Sequence, residues 1–190
     1  LTDVIKGTTQ KNIIEKLNPT SERYKEIIQI RLKNLRKYSI KYATVIQSIL
    51  NSNGESCFVY SELVTGSGSI VFSLLLKLFG FTQSKGNDTK PGLRYGFLTS
   101  DVTTSQLHNI INCFNQPANM HGDIIKVLIG SKVVSEGVSF YNIQREYILT
   151  PWYNYSETEQ AIARGYRLDS HKDLLNDGIV PVVSISQLVA

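Results

Sequence analysis

The sequence predicts an α/β domain with a mainly parallel sheet covered by helices, and three observations carry that expectation. From Glu55 onward, short apolar and β-branched runs alternate with stretches of helical periodicity. The connections between them are short, an alternation that calls for parallel pairing with helical crossovers. The chain has 190 residues, 42% of them hydrophobic, which is enough for one core of that kind.

Residues 1 to 20 are polar, with no clear periodicity before Ile13, Ile14 and Leu17. Pro19 interrupts, and Thr20 and Ser21 stand as capping residues before the helical pattern of "ERYKEIIQIRLKNLRKYS". A second amphipathic helix, "IKYATVIQSILNSNG", closes on an Asn/Ser/Gly turn. "SCFVYSEL" then reads as a strand buried on both faces. A Gly/Ser turn leads to the helix "SIVFSLLLKLFG", and the polar stretch 82–92 is expected to be an insertion or mobile loop. The strand "LRYGFLTS" precedes the helix "TSQLHNIINCFNQ", which Asp101 or Thr103 can cap. "GDIIKVLIGS" and "REYILTPWY" read as buried strands, "SETEQAIARGYR" as a helix and "IVPVVSIS" as a last strand. In that last helix, Arg164 and Arg167 are three residues apart and are expected to share one face. Residues 1–38 are expected to form a basic helical lead-in or linker, and residues 39–190 the domain itself.

Composition narrows the class. Charged residues make up 19% of the chain, as in an ordinary globular protein, and a formal net charge of +4 mildly favours a polyanionic partner. Ten Lys/Arg face four Asp/Glu before residue 42, so the first helices present either a solvated surface or one that meets nucleic acid. Cys57 and Cys113 are too few and too far apart for a disulfide framework or a zinc site, and read as core thiols in a reducing compartment. The longest apolar run is too short for a bilayer and is broken by Ser73 and Lys77. No secretory leader pattern is present at "LTDVIKGTTQ". The expectation is an intracellular protein, cytoplasmic or nuclear, with no membrane partner. The glycosylation-like triplets at Asn87 and Asn154 are then accidental.

In sheets of this kind ligands collect at the carboxyl ends of the strands. Four loops there have relevant content. Thr65, Gly66, Ser67 and Gly68 end a strand and open a helix, either as a backbone cradle for phosphate or as a flexible turn. Thr99 and Ser100 can bind phosphate or cap the next helix. Ser131 and Lys132 follow a buried strand, with Glu136 and Gly137 soon after, and Gly137 permits close approach of a ligand or simply frays a helix. The fourth loop leads to Gln160, Arg164 and Arg167, a pair of guanidinium groups that otherwise reads as a solvated helix face.

Taken together and in order, the span from Ser39 to Ser186 resembles the C-terminal motor lobe of superfamily 2 helicases and Swi/Snf-type translocases. "CFVYSELV" resembles motif IV, "IGSKVVSEGVSF" resembles motif V with its glycine at Gly137, and "QAIARGYR" resembles motif VI. "TPWYNYSETEQA" is similar to the Swi/Snf-type run with a Trp and an Asn before the Gln, and Trp152 reads as packing there. "KYSIKYATVIQSIL" and "SEGVSF" are similar to the helicase-like transcription ATPases of large DNA viruses, which implies a possible virion location. The resemblance implies a RecA-like three-layer fold behind a helical lead-in.

It also implies roles. Arg167 falls at the arginine-finger position and Arg164 at a partner contacting phosphate. Gln160, Glu136 and Gly137 would line the ATP cleft, while Thr65, Gly66, Ser67, Gly68, Thr99, Ser100, Ser131 and Lys132 would grip a DNA or RNA backbone. Two positions depart from the pattern: Ser139 stands where many helicases carry Asp, and Ala163 where motif VI carries Gly. The chain has neither a Gly-Lys-Ser/Thr phosphate loop nor an Asp-Glu box, so it is expected to be a fragment of a larger ATPase. ATP and Mg2+ would then be held mainly by an N-terminal RecA-like lobe of the same polypeptide, with transcription machinery as a further partner. The fragment alone is expected to hydrolyse nothing. Two other readings stay open: an ATPase-inactive nucleic-acid-binding or assembly module of a transcription complex, and a stand-alone nucleotide-binding domain.

Overall fold

The computed structural model describes residues 21–65, 68–99, 102–131, 138–150, 159–160 and 162–188. It opens with α1 (Glu22–Arg36) and α2 (Ile40–Asn51), followed by β1 (Ser56–Tyr60) and α3 (Ser69–Leu78). Next come β2 (Thr82–Gln83), β3 (Arg94–Leu98) and α4 (Thr104–Asn115), then a 3-10 turn at Pro117–Asn119. The chain continues with β4 (Val127–Gly130), β5 (Ile143–Ile148), α5 (Lys172–Asn176) and β6 (Ser184–Gln187).

Short hydroxyl side chains start three of the helices. Ser21 Oγ accepts from the Tyr24 amide at 3.2 Å, Ser39 Oγ from the Tyr42 amide at 3.2 Å and Thr103 Oγ1 from the Gln106 amide at 3.3 Å. Each satisfies one of the amides that a first helical turn leaves without a partner. Thr103 is therefore a cap of α4; Asp101 lies outside the described residues.

The six strands form one sheet in the order β2-β3-β4-β1-β5-β6, and every pairing is parallel. Side chains alternate across it, as strand geometry requires. Cys57 and Val59 of β1, Val127 and Ile129 of β4, and Tyr147 of β5 face a core shared with α1, α2 and α3. Phe58, Leu128 and Ile148 face the opposite core, shared with α4 and Phe140. Both faces of β1 and β4 are covered, which accounts for the apolar character of these two central strands. Each large side chain removed from water adds about 1.5–3 kcal/mol. Cys57 and Cys113 are free and buried, and burial pushes both thiols above their usual pKa.

The core continues across the boundary expected at residue 38. Tyr24, Ile28, Leu32 and Leu35 of α1 are buried in the same cluster as α2, α3 and β1, and Tyr24 Oη donates to Phe79 O at 3.0 Å. The stretch 82–92 is a loop that opens with a short strand. It contains β2, and Asp88 ties it down by accepting from Ser84 Oγ at 2.5 Å and pairing with Arg94 at 3.0 Å. β4 starts later than the apolar run suggests. Asn119 Oδ1 accepts from the amides of Ile124 and Ile125 at 2.8 and 2.9 Å, holding those residues out of the ladder. Among the described residues no helix is long and apolar enough to cross a membrane.

The topology sets the position of the site. From β1 the chain moves toward β2 and β3, whereas from β4 it crosses β1 to reach β5. From β5 it continues outward to β6, so the connections part between β1 and β5, at the carboxyl edge of the sheet where such folds bind ligands.

Candidate functional site

Three strands end at one level there. Tyr60 and Leu98 both pair with Gly130, so Ser61, Thr99 and Ser131 follow as a row across β1, β3 and β4. Thr99 and Ser131 are each only 2% exposed, which places their hydroxyls inside the fold and not on its rim. Thr65 is exposed. The turn into α3 closes on itself: the amide of Gly68 donates to Thr65 O, that of Ser69 to Leu63 O and that of Ile70 to Val64 O, at 2.9–3.2 Å. The amides of Gly68, Ser69 and Ile70 are thereby satisfied within the turn. Gly66, Ser67, Ser100, Lys132, Glu136 and Gly137 lie outside the described residues.

The arginine pair is also arranged differently from expectation. Glu159, Gln160 and Ile162 are helical, with Gln160 exposed, but Ala163, Arg164 and Gly165 form a turn and Arg167 lies beyond it. The two guanidinium groups therefore do not share a helical face. Arg164 is turned inward, 6% exposed, and its Nη1 donates to Val138 O at 3.0 Å. Arg167 is exposed and its Nη1 donates to Ser139 Oγ at 2.9 Å. The Phe140 amide closes the contact by donating to Arg164 O at 3.2 Å. Val138–Phe140, at the end of the segment resembling motif V, and Arg164–Arg167, at the end of that resembling motif VI, are thus one physical unit.

α4 supports the same unit. Asn115 Nδ2 donates to Ser139 O, and its Oδ1 accepts from the Tyr141 amide, both at 2.9 Å. Phe140 anchors the segment in the core, with ring centroids 5.0 Å from Phe58 and 6.5 Å from Phe114. Behind the turn, the His171 ring bridges Ser170 Oγ at 2.9 Å and Ile143 O at 2.5 Å.

The physical reason for the bend lies beneath it. Glu146 is in the middle of β5, between Phe58 of β1 and Ile185 of β6, and is fully buried. A Cβ built on Gly165 would stand 1.9 Å from Glu146 Oε1. Only glycine lets the chain lie this close to the carboxyl. Neither Glu146 oxygen has a hydrogen-bond partner among the described residues. Burial pushes its pKa up to about 8, so the neutral acid predominates at pH 7. Sequence reasoning passed over Glu146. The available signal was an acidic residue inside a run otherwise read as a strand buried on both faces.

Residues 40–169 match the family described as the helicase conserved C-terminal domain. The chain belongs to that family. This helicase C-terminal domain is 46% identical over 167 residues to "Putative helicase 087L" of Invertebrate iridescent virus 3, a match that covers 85% of this chain and 17% of the relative. It is 35% identical over 149 residues to "Putative ATP-dependent RNA helicase" of Heliothis virescens ascovirus 3e, covering 77% and 15%. The chain thus spans about a sixth of the length of these relatives. The crystal structure of the C-terminal part of the Fun30 ATPase domain superposes with a TM-score of 0.53 at 16% identity, over 78% of this chain and 40% of that one. That likeness establishes a RecA-like α/β fold for the helicase C-terminal domain. The resemblance read from the motifs, including its viral branch, holds.

Proposed function

We propose that this domain is the second motor lobe of an ATP-dependent nucleic-acid helicase or translocase, and that Arg167 is its arginine finger. The single observation behind this is the division of labour in the turn: Arg164 faces inward and holds the segment carrying Ser139, while Arg167 faces outward and rests on Ser139. An exposed guanidinium on a braced support can meet a triphosphate bound by a facing lobe of the same polypeptide. Negative charge spreads over the transferring phosphoryl group in the transition state, and a planar fork of donors stabilises that charge more than it stabilises the ground state. Gln160, exposed one turn earlier, would hold the nucleotide or the arginine.

Among the described residues no three His, Cys, Asp or Glu side chains stand close enough to hold a metal ion. In this reading the domain contributes cationic donors to an ATP–Mg2+ complex held mainly by the facing lobe. A DNA or RNA strand would run past the carboxyl ends of β1, β3 and β4, near the exposed Thr65. Contacts of that kind are independent of sequence and weaken with salt.

In the full-length protein, Arg167→Ala is expected to lower kcat for nucleic-acid-stimulated ATP hydrolysis by about a thousandfold or more, with nucleic-acid affinity retained. Undiminished hydrolysis would remove the arginine-finger role. A wild-type protein inert toward ATP that still binds nucleic acid would favour the assembly-module reading.

A further inference from the structure

Glu146 has no part in the reading above, yet it lies directly beneath the arginine turn. It is fully buried in the centre of the sheet, and its two oxygens have no hydrogen-bond partner among the described residues. Gly165, the residue between Arg164 and the segment leading to Arg167, lies directly on Oε1. A buried carboxyl without a donor tolerates no charge unless something moves toward it or water enters.

The surroundings show what would move. On the two flanking strands its register neighbours are Phe58 and Ile185, which carry no charge. On its own strand, Arg145 pairs with Glu55 and Tyr147 meets Ser48, both in the opposite layer. Beyond the turn, His171 is held by Ser170 and Ile143, and Asp173 of α5 accepts from Asn142 at 2.9 Å. The cations of the turn itself are Arg164, which braces Val138, and Arg167, which rests on Ser139. A negative charge at Glu146 would either lift Gly165 to admit water or draw Arg164 from Val138. Either change undoes the support of Ser139, on which Arg167 rests.

We propose that Glu146 is a positioning residue for the arginine turn: as an uncharged acid under Gly165 it lets the turn seat on β5, and loss of its proton unseats Arg164 and Arg167. The activity half of this inference rests on the function proposed above. The structural half does not, and the two halves have separate readouts.

The first readout is the pH–rate profile of ATP hydrolysis by the full-length protein. Wild-type kcat is expected to fall above a midpoint near the raised pKa of Glu146, about 8, by about tenfold for each further pH step, with KM for ATP little changed. Glu146→Gln stays uncharged at every pH and should lose that alkaline limb. An alkaline limb of the same midpoint in Glu146→Gln overturns the proposal. The second readout needs no turnover. The Nε–H resonances of Arg164 and Arg167 in the 190-residue chain should shift with a common midpoint near pH 8. Resonances that stay put from pH 6 to 9 in the wild type overturn the proposal, even where the glutamine variant does not fold. Moving resonances in a protein that never hydrolyses ATP would retain Glu146 as the positioning residue and sink the helicase reading instead.

Discussion

Burying Glu146 uncharged should leave a signature in the stability of the domain, separate from any activity. The perturbation is Glu146→Gln, which keeps the shape of the side chain and removes its ability to ionise. The carboxyl has a pKa of 4.5 in an open chain and about 8 in the fold, so between those values the folded state holds a proton that the unfolded state has released. The unfolded state binds fewer protons across this window, and stability therefore falls as pH rises through it. The loss levels off above the folded pKa. At about 1.36 kcal/mol for each tenfold in the proton equilibrium, the wild type loses roughly 3 kcal/mol by pH 7 and 4–5 kcal/mol by pH 9. The glutamine variant bears the same unpartnered polar burial without the proton-linked part. Its melting temperature should match the wild type near pH 5 and exceed it by on the order of 10 °C at pH 8 to 9, at about 2–4 °C per kcal/mol for a domain of this size. The assay is calorimetry of both proteins from pH 5 to 9. A difference that stays constant across that range would refute the reasoning, because it would mean that Glu146 titrates alike in the folded and unfolded chains.

Other perturbations have comparably defined outcomes. Gly165→Ala places a methyl 1.9 Å from Glu146 Oε1 and 3.4 Å from Ile143 Cγ2, and should cost about 1–3 kcal/mol by denaturant titration. Adding Glu146→Ala to that variant should recover part of the loss, giving a double-mutant cycle with clear coupling. Asn119→Ala removes two acceptor contacts to the amides of Ile124 and Ile125 and two donations, to Phe114 O and Ile125 O, and should cost roughly 3 kcal/mol in the same titration. Phe140→Ala empties the ring site between Phe58 and Phe114 and should cost about 3–5 kcal/mol, with ATPase activity of the full-length protein falling as the support of Ser139 loosens.

The fold was legible because its signals are local and repeated. Apolar strands, hydroxyl caps and amphipathic helices each report the environment of their own residues, and the parallel order follows from their alternation. Two features escaped, the pairing of β2 because its signal is not local and the burial of α1 although its signal is. β2 consists of two exposed residues whose strand character comes from pairing with Arg94 and Tyr95, and nothing in "TQSKGNDTKPG" advertises that partner. The leading helix reads as a basic lead-in because its charges dominate the composition, yet Tyr24, Ile28, Leu32 and Leu35 fall at spacings that bury one stripe in the main core.

The site divides along the same line. The order of the motif-like segments is written along the chain, so their adjacency could be expected from the resemblance. The fates of Arg164 and Arg167 could not, because a spacing of three specifies one face only while the helix lasts. The helix gives way after Ile162 to a turn in which Gly165 meets Glu146, a contact between residues nineteen positions apart that no periodicity records. From that contact the rest follows: the chain bends, one arginine is carried into the fold to brace Val138, and the other is left outside on Ser139. A serine at position 139 suits this arrangement, since its hydroxyl can accept from a guanidinium without adding a buried charge beside Arg164. Replacing it with the Asp that many relatives of the motif carry would set a carboxylate against Arg167 and strengthen the hold on it. Ser139→Asp should therefore slow ATP hydrolysis by the full-length protein if Arg167 must leave Ser139 to meet phosphate, and an accelerated Ser139→Asp enzyme would mean that Arg167 acts from where it rests.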